Sequence, residues 1–202
     1  THERGLADAN RFDHAGLTDS KKRNVGSVVA LIALGLAWEL WLAPTGNRTL
    51  ALKVLPLALP LAGLPHRGGY MRIGKAFETT FTHMAAQGLL REDTRWLAVY
   101  YDDPAVVPEA QLRSWAGLSL PAGAQASAPL QPMTLGGCTC AVLRHRGPYA
   151  TMGAAYQWLY GQWLVQSGRA ALDQPVFEEY LNNPRDTAPA DLLTDIYLPL
   201  QD

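Results

Sequence analysis

An excess of charge of either sign is what this 202-residue chain most clearly lacks. Seventeen Lys and Arg stand against eighteen Asp and Glu, a formal net charge of −1. So balanced a chain has no electrostatic footprint for a polyanion, and direct nucleic-acid binding is not expected. Cysteine is nearly absent as well. Cys138 and Cys140 are the only two, and along a strand they would point the same way. A disulfide framework or a thiolate zinc site needs more, so we read them as small buried hydrophobes. No nucleophile elbow, no glycine-rich cofactor fingerprint and no cluster with metal-ligand spacing occurs, so neither cofactor nor metal is expected. The chain opens on Thr1, not on methionine, which leaves room for residues ahead of it.

Apolar residues are plentiful, 48% of the total, enough in this length for one large domain with an appendage. Residues 1–24 are polar with mixed charge and read as a tail. Residues 25–45 differ in kind. Val25 to Ala43 is as long as a bilayer-spanning helix needs to be, with Lys21-Lys22-Arg23 before it and Trp38 and Trp41 near its far end. We read it as an N-terminal hydrophobic helix that anchors the chain to a membrane through 25–44. A cleaved signal peptide or a covered soluble helix are the alternatives.

From residue 50 to residue 202 the chain repeats itself. His66-Arg67-Gly68-Gly69-Tyr70 is answered by His145-Arg146-Gly147-Pro148-Tyr149. An apolar run precedes each copy, Val54 to Leu64 and Cys138 to Leu143. Pro56 and Pro60 make the first run look like an edge strand. A helical period follows each: Ile73, Ala76, Phe77, Thr80, Phe81 and Met84, then Met152, Ala155, Tyr156, Leu159, Tyr160 and Trp163. Gly88 and Gly168 stand where helices end. Trp96 to Pro104 parallels Val176 to Pro184, and Leu112–Leu120 and Leu192–Leu200 supply a last strand to each half. The expected architecture is α+β, a tandem β-α-β-β repeat with pseudo-twofold symmetry. Half 1 covers about 53–120 and half 2 about 133–202. Between them Pro121 to Pro132, rich in Ala, Pro, Gln and Ser, reads as a linker. The duplicated His66, His145, Arg67 and Arg146 read as turn residues, and Asp102-Asp103 as a turn.

Pro175-Val176-Phe177-Glu178-Glu179-Tyr180-Leu181 is a strand that sends its two glutamates to opposite faces. Glu178 travels with Tyr180, and Glu179 with Phe177 and Leu181. By the repeat, Ala98 stands opposite Glu178 and Tyr100 answers Tyr180. An acid in one half matched by a small residue in the other is a broken symmetry, and the groove between halves is the natural ligand site.

Trp96-Leu97-Ala98-Val99-Tyr100-Tyr101-Asp102-Asp103-Pro104, His145-Arg146-Gly147-Pro148-Tyr149, the strand around Glu178, and Thr194-Asp195-Ile196-Tyr197-Leu198-Pro199-Leu200 resemble the GyrI-like family over about 54–200. That group comprises gyrase inhibitors and the effector-binding halves of AraC-type and multidrug-responsive regulators. The resemblance implies two SHS2-like modules with a groove between them and Glu178 projecting into an aromatic-lined pocket. Members of the family sequester or sense hydrophobic, often cationic compounds, inhibit gyrase, or hydrolyse cyclopropane-bearing toxins. Trp38-Glu39-Leu40-Trp41-Leu42-Ala43-Pro44 with Leu52-Lys53-Val54-Leu55-Pro56-Leu57 resembles the first hairpin of an uncharacterised bacterial inner-membrane family over about 25–63. No helix-turn-helix precedes the repeat in the sequence given.

The expected ligand-binding residues are therefore Glu178, Tyr180, Tyr100, Trp96, Trp115 and Tyr149. They suit a large flat hydrophobic molecule, a cation included, since aromatic faces and a desolvated carboxylate both attract positive charge. The expected role is sensing or sequestration of a drug or toxin by a cytoplasmic domain held at the inner membrane by 25–44. One alternative is a cofactor-independent hydrolase with Glu178 as the base. The other is inhibition of a protein partner such as gyrase.

Overall fold

The computed structural model describes residues 39–41, 48–55 and 59–201. The chain divides after Trp38, and every described residue lies in the second part. Among the described residues nine strands form one antiparallel sheet: β1 (Glu39–Trp41), β2 (Arg48–Leu55), β3 (Leu59–Arg67), β4 (Trp96–Tyr100), β5 (Arg113–Ser119), β6 (Gln131–Leu135), β7 (Cys138–Arg146), β8 (Val176–Tyr180) and β9 (Leu193–Leu200). Their order across the sheet is β1-β2-β7-β9-β8-β4-β5-β3-β6. Helix α1 (Gly74–Ala86) lies between β3 and β4. Helix α2 (Met152–Trp158) lies between β7 and β8 and runs on through a π-helical stretch, Leu159–Leu164, into the short α3 (Val165–Ser167). The fold is α+β. Gly88 and Gly168, both at φ +66°, follow the two helical segments in the left-handed conformation that favours glycine.

Strand alternation gives the sheet two faces. Leu97, Val99, Trp115, Phe177, Tyr197, Cys140, Val142 and Leu61 form a core on one. On the other, Ile73, which caps α1, and Phe77 of α1 pack against Ala98 and Ala116, and Met152 and Ala155 of α2 with Leu159 of the π-helical stretch pack against Leu143, Val176 and Ile196. No helix among the described residues covers the first face, and chain length explains how it is buried. β6 and β7 lie six positions apart in the sheet, about 29 Å if it were flat. Only Gly136 and Gly137 separate Leu135 from Cys138, so three Cα steps must cross that gap with a reach of about 11 Å. The sheet therefore curls until its two ends approach, and the helix-free face becomes its interior.

Four expectations change. Within the hydrophobic stretch 25–45, Glu39–Trp41 is a strand, pairing with Ala51–Lys53 on the outer side of β2; residues 25–38 and 42–45 lie outside the described residues. No helix among the described residues is long and apolar enough to cross a membrane. The apolar run from Val54 to Leu64 is two strands, not one: β2 pairs with β7, and β3 with β5 and β6. β3 is therefore no edge strand where Pro60 lies; that residue sits one position into the strand and its carbonyl accepts from the Leu120 N–H. The assigned linker ends inside β6, because Met133 and Leu135 alternate inward against Leu61 and Leu59.

Candidate functional site

Glu178 occupies the middle of the sheet. Its strand, β8, is flanked by β4 and β9, and the residue lies opposite Ala98 on one side and Ile196 on the other. The small Ala98, fully buried, packs on the helix-bearing face with Ile73, Phe77 and Ala116. Glu178 is itself only 4% exposed. Tyr156, reaching down from α2, donates its hydroxyl to Oε1 at 2.7 Å, and Tyr180 donates to Oε2 at 2.8 Å. The Tyr100 and Tyr180 hydroxyls are 2.6 Å apart. Tyr180 has a single O–H proton and spends it on Glu178, so Tyr100 is the donor to Tyr180. Burial pushes the Glu178 carboxyl up to about 7, with the phenols of Tyr156, Tyr180 and Tyr100 pulling the other way. The three phenols are in turn raised well above their ordinary value, by burial first and then by the nearby carboxylate.

Aromatic rings continue outward from this centre. Tyr149 and Phe77 each meet Tyr180 edge-on, with centroids 5.5 Å away. Phe77 and Phe81 both lie against Trp96 at 5.6 Å, Phe81 nearly parallel to it. Tyr70 meets Tyr100 edge-on at 4.7 Å. Phe81 on α1 and Tyr160 in the π-helical stretch are both substantially exposed. The aromatic series thus runs from the buried carboxylate towards solvent along α1.

Of the residues expected from sequence, Glu178, Tyr180, Tyr100, Trp96 and Tyr149 are together on the helix-bearing face. Trp115 is not. It pairs with Val99 and Pro65 and packs in the interior core with Phe177 and Tyr197. Its ring lies across Gly63 and Gly117, where a Cβ would come within 2.7 Å and 2.0 Å of it. Tyr156, Phe77 and Phe81 belong to the helical stripes of the sequence and Tyr70 to its duplicated His-Arg-Gly motif, and none of the four is among the expected ligand-binding residues. For Tyr156, Phe77 and Phe81 the signal lies in the helical stripes, where Tyr156 and Phe77 each stand eleven residues after the histidine of a His-Arg-Gly run.

The interior face carries a contrasting acid pair. Glu179 lies directly opposite Asp195. Arg95 clamps Glu179 with two bonds of 2.6 Å, and Tyr197 donates to it at 2.9 Å. Arg144 holds Asp195 with two bonds of 2.8 Å, and Lys53 approaches to 3.5 Å. Burial alone would raise Glu179, but Arg95, Tyr197 and Lys53 outweigh it and hold the carboxyl below its ordinary range. Among the described residues no Lys or Arg pairs with Glu178.

A curled antiparallel sheet bearing two helices on its outer face, with an acid enclosed in aromatic rings beneath them, defines an α+β domain of the small-molecule-binding kind. The chain belongs to the GyrI-like small molecule binding domain family, which it matches over residues 52–201. A second match, to a predicted membrane protein family of unknown function (DUF2069), covers residues 24–72. Its last part overlaps β2 and β3, which the structure shows as full members of the sheet.

Solved structures share the fold. The crystal structure of the EcmrR C-terminal domain superposes with a TM-score of 0.66 at 19% identity, covering 77% of this chain and 98% of that one. EcmrR in its DNA complex gives 0.67 at 16% identity, covering 93% of this chain and 67% of that one. A hydrolase encoded by lin2189 from Listeria innocua gives 0.54 at 13% identity, covering 79% and 94%.

Proposed function

We propose that the chain captures a hydrophobic cation between α1 and α2, with Glu178 as its charge partner and Trp96, Tyr100, Tyr149 and Tyr180 as its aromatic wall. The observation that carries this reading is the unequal treatment of three buried acids. Glu179 has Arg95, Asp195 has Arg144 and Lys53, and Glu178 has phenols alone. A carboxylate so enclosed is costly when ionised, and a cation brought in from outside removes that cost. Tyr156 closes the site from the helix side, so entry requires its hydroxyl to leave Glu178. The adjoining π-helical turn breaks the regular ladder of α2 next to that residue, and such turns are frequent at functional sites.

In this reading the two halves are copies of one β-α-β-β module, related by a pseudo-twofold axis between β4 and β8. The ligand lies where the axis is broken by Glu178 against Ala98. The role is sensing or sequestration, in line with the small-molecule-binding family to which the chain belongs. Anchoring to a membrane through the part of 25–44 that precedes β1 belongs to the same proposal, supported by the membrane-family match over 24–72. The test is a titration with quaternary ammonium compounds and cationic dyes. Glu178→Gln should weaken them by about tenfold or more, since a hydrogen-bonded charge contributes about 1.5–3 kcal/mol, and unchanged affinity would sink the assignment.

A hydrolytic reading is favoured by one feature. A carboxyl near neutrality, bonded to two phenols, is suited to activate water while a tyrosine returns the proton. Turnover of a cyclopropane-bearing electrophile, lost in Glu178→Ala, separates this from capture.

A further inference from the structure

We propose a second binding site, for a small dianion of the phosphate-monoester class, in the cavity between the free end of β3 and the start of α1. The site uses the correspondence between the halves, which two matching hydrogen bonds fix independently of any ligand: Gly68 N–H donates to Leu112 O, and Gly147 N–H to Leu192 O. His66 thus corresponds to His145, and Leu112 to Leu192.

On that correspondence β2 and β6 flank equivalent strands unequally. β2 runs along β7 from Cys138 to His145, whereas β6 runs along β3 only from Leu59 to Gly63. Leu64, Pro65 and His66 are left without an outer partner, where Leu143, Arg144 and His145 have Leu50, Thr49 and Arg48. The space a longer β6 would fill is a cavity of about 600 Å³ lined by those three residues with Arg67, Gly68, Arg72, Lys75, Ala76, Thr79 and Ala110. A second cavity of about 210 Å³ adjoins it across Pro65, His66 and Arg67. Ser114 lines the latter, 2% exposed, with its hydroxyl unpartnered.

The charge around this space departs from its counterpart in one direction. In the second half Arg146 is neutralised by Asp191 at 2.5 Å. The position answering Asp191 is Gln111, and Arg67 forms no ion pair among the described residues. Arg72 and Lys75 replace Thr151 and Ala154. Glu109 answers Arg72 at 2.7 Å, which leaves Arg67 and Lys75, neither in an ion pair among the described residues, as two cations over one cavity. Two fixed positive charges, one of them a guanidinium able to bond in bidentate fashion, match a dianionic phosphate. Pro65 removes a backbone donor from the open edge, which disfavours a peptide strand as the occupant.

The test titrates the full chain with inorganic phosphate at constant ionic strength, with chloride as the control, following backbone amide shifts. Saturable shifts centred on Gly68, Gly69 and Lys75 are expected. Gln111→Asp installs the acid that the second half carries and should weaken phosphate by about tenfold or more. Lys75→Gln should do the same, and it keeps the test decisive should Gln111→Asp impair folding. Shifts that do not saturate, or an affinity indifferent to both substitutions, overturn the proposal. Glu178→Gln should leave phosphate binding intact and Gln111→Asp should leave cationic-dye binding intact, so the two sites fail or stand separately.

Discussion

The Glu178 carboxyl makes stability depend on pH in a direction that can be worked out in advance. Its folded value is about 7, against an ordinary value of 4.5. Below the unfolded value both states hold the proton and the group contributes nothing pH-dependent. Between 4.5 and about 7 the folded state keeps a proton that the unfolded chain has released, so stability falls as pH rises. Above that window the loss is complete, and the displacement corresponds to about 3 kcal/mol. Glu178→Gln mimics the protonated carboxyl: its amide oxygen accepts from one tyrosine, and its NH₂ donates to a phenol that turns to accept. The variant should match the native chain near pH 5 and exceed it near pH 8 by about 3 kcal/mol, or about 6–12 °C in melting temperature for a chain of this size. Urea unfolding of both proteins across that range is the assay. A stability difference that is flat with pH would refute the claim that this carboxylate is enclosed without a cation.

Arg95→Ala should have the opposite pH response. It strips two 2.6 Å bonds from Glu179 and should cost about 2–3 kcal/mol at neutral pH, less than a fully buried pair because the guanidinium is 38% exposed. Because Glu179 is held below its ordinary range, the difference should shrink as pH falls through its folded value, which acid-range denaturation can follow. Tyr156→Phe keeps the ring but removes one donor from Glu178; unfolding measurements should show a loss of about 1–3 kcal/mol near pH 8 and a smaller one near pH 5. Gly63→Ala would place a methyl 2.1 Å from the Ala116 carbonyl oxygen. It should destabilise by about 1–3 kcal/mol or more in urea, because that neighbour is backbone and cannot turn aside.

The sequence shows how the strand around Glu178 faces but not what encloses that residue. The strand around Glu178 has an unambiguous period of two, so the opposed faces of Glu178 and Glu179 could be read directly. Setting Trp96 to Pro104 over Val176 to Pro184 puts Ala98 against Glu178, and the two are direct neighbours across β4 and β8. Trp115 could not be placed, because its face depends on the register of β5 against β3 and β4, and a slip of one residue reverses it. β6 escaped notice because its strand character comes from its partner: Gln131-Pro132-Met133-Thr134-Leu135 is strand only beside β3. Arg95, Arg144 and Lys53 are distant in sequence from the acids they neutralise, and only the curl of the sheet shows how the interior face is closed.

That curl also explains why the two faces treat their acids differently. On the interior face, Glu179 and Asp195 are direct neighbours across β8 and β9, and two ionised carboxylates there would repel without cations to separate them. Arg95 lies just before β4 and Arg144 near the end of β7, and each long side chain lies inward while its guanidinium keeps partial access to water. Glu178 sits at mid-strand with α2 above it, and the side chain that reaches it from that helix is the phenol of Tyr156. Position in the sheet thus lets cations neutralise the interior acids and leaves Glu178 with hydrogen bonds alone. A molecule that brings its own positive charge between the helices would supply what the strand ends supply on the other face.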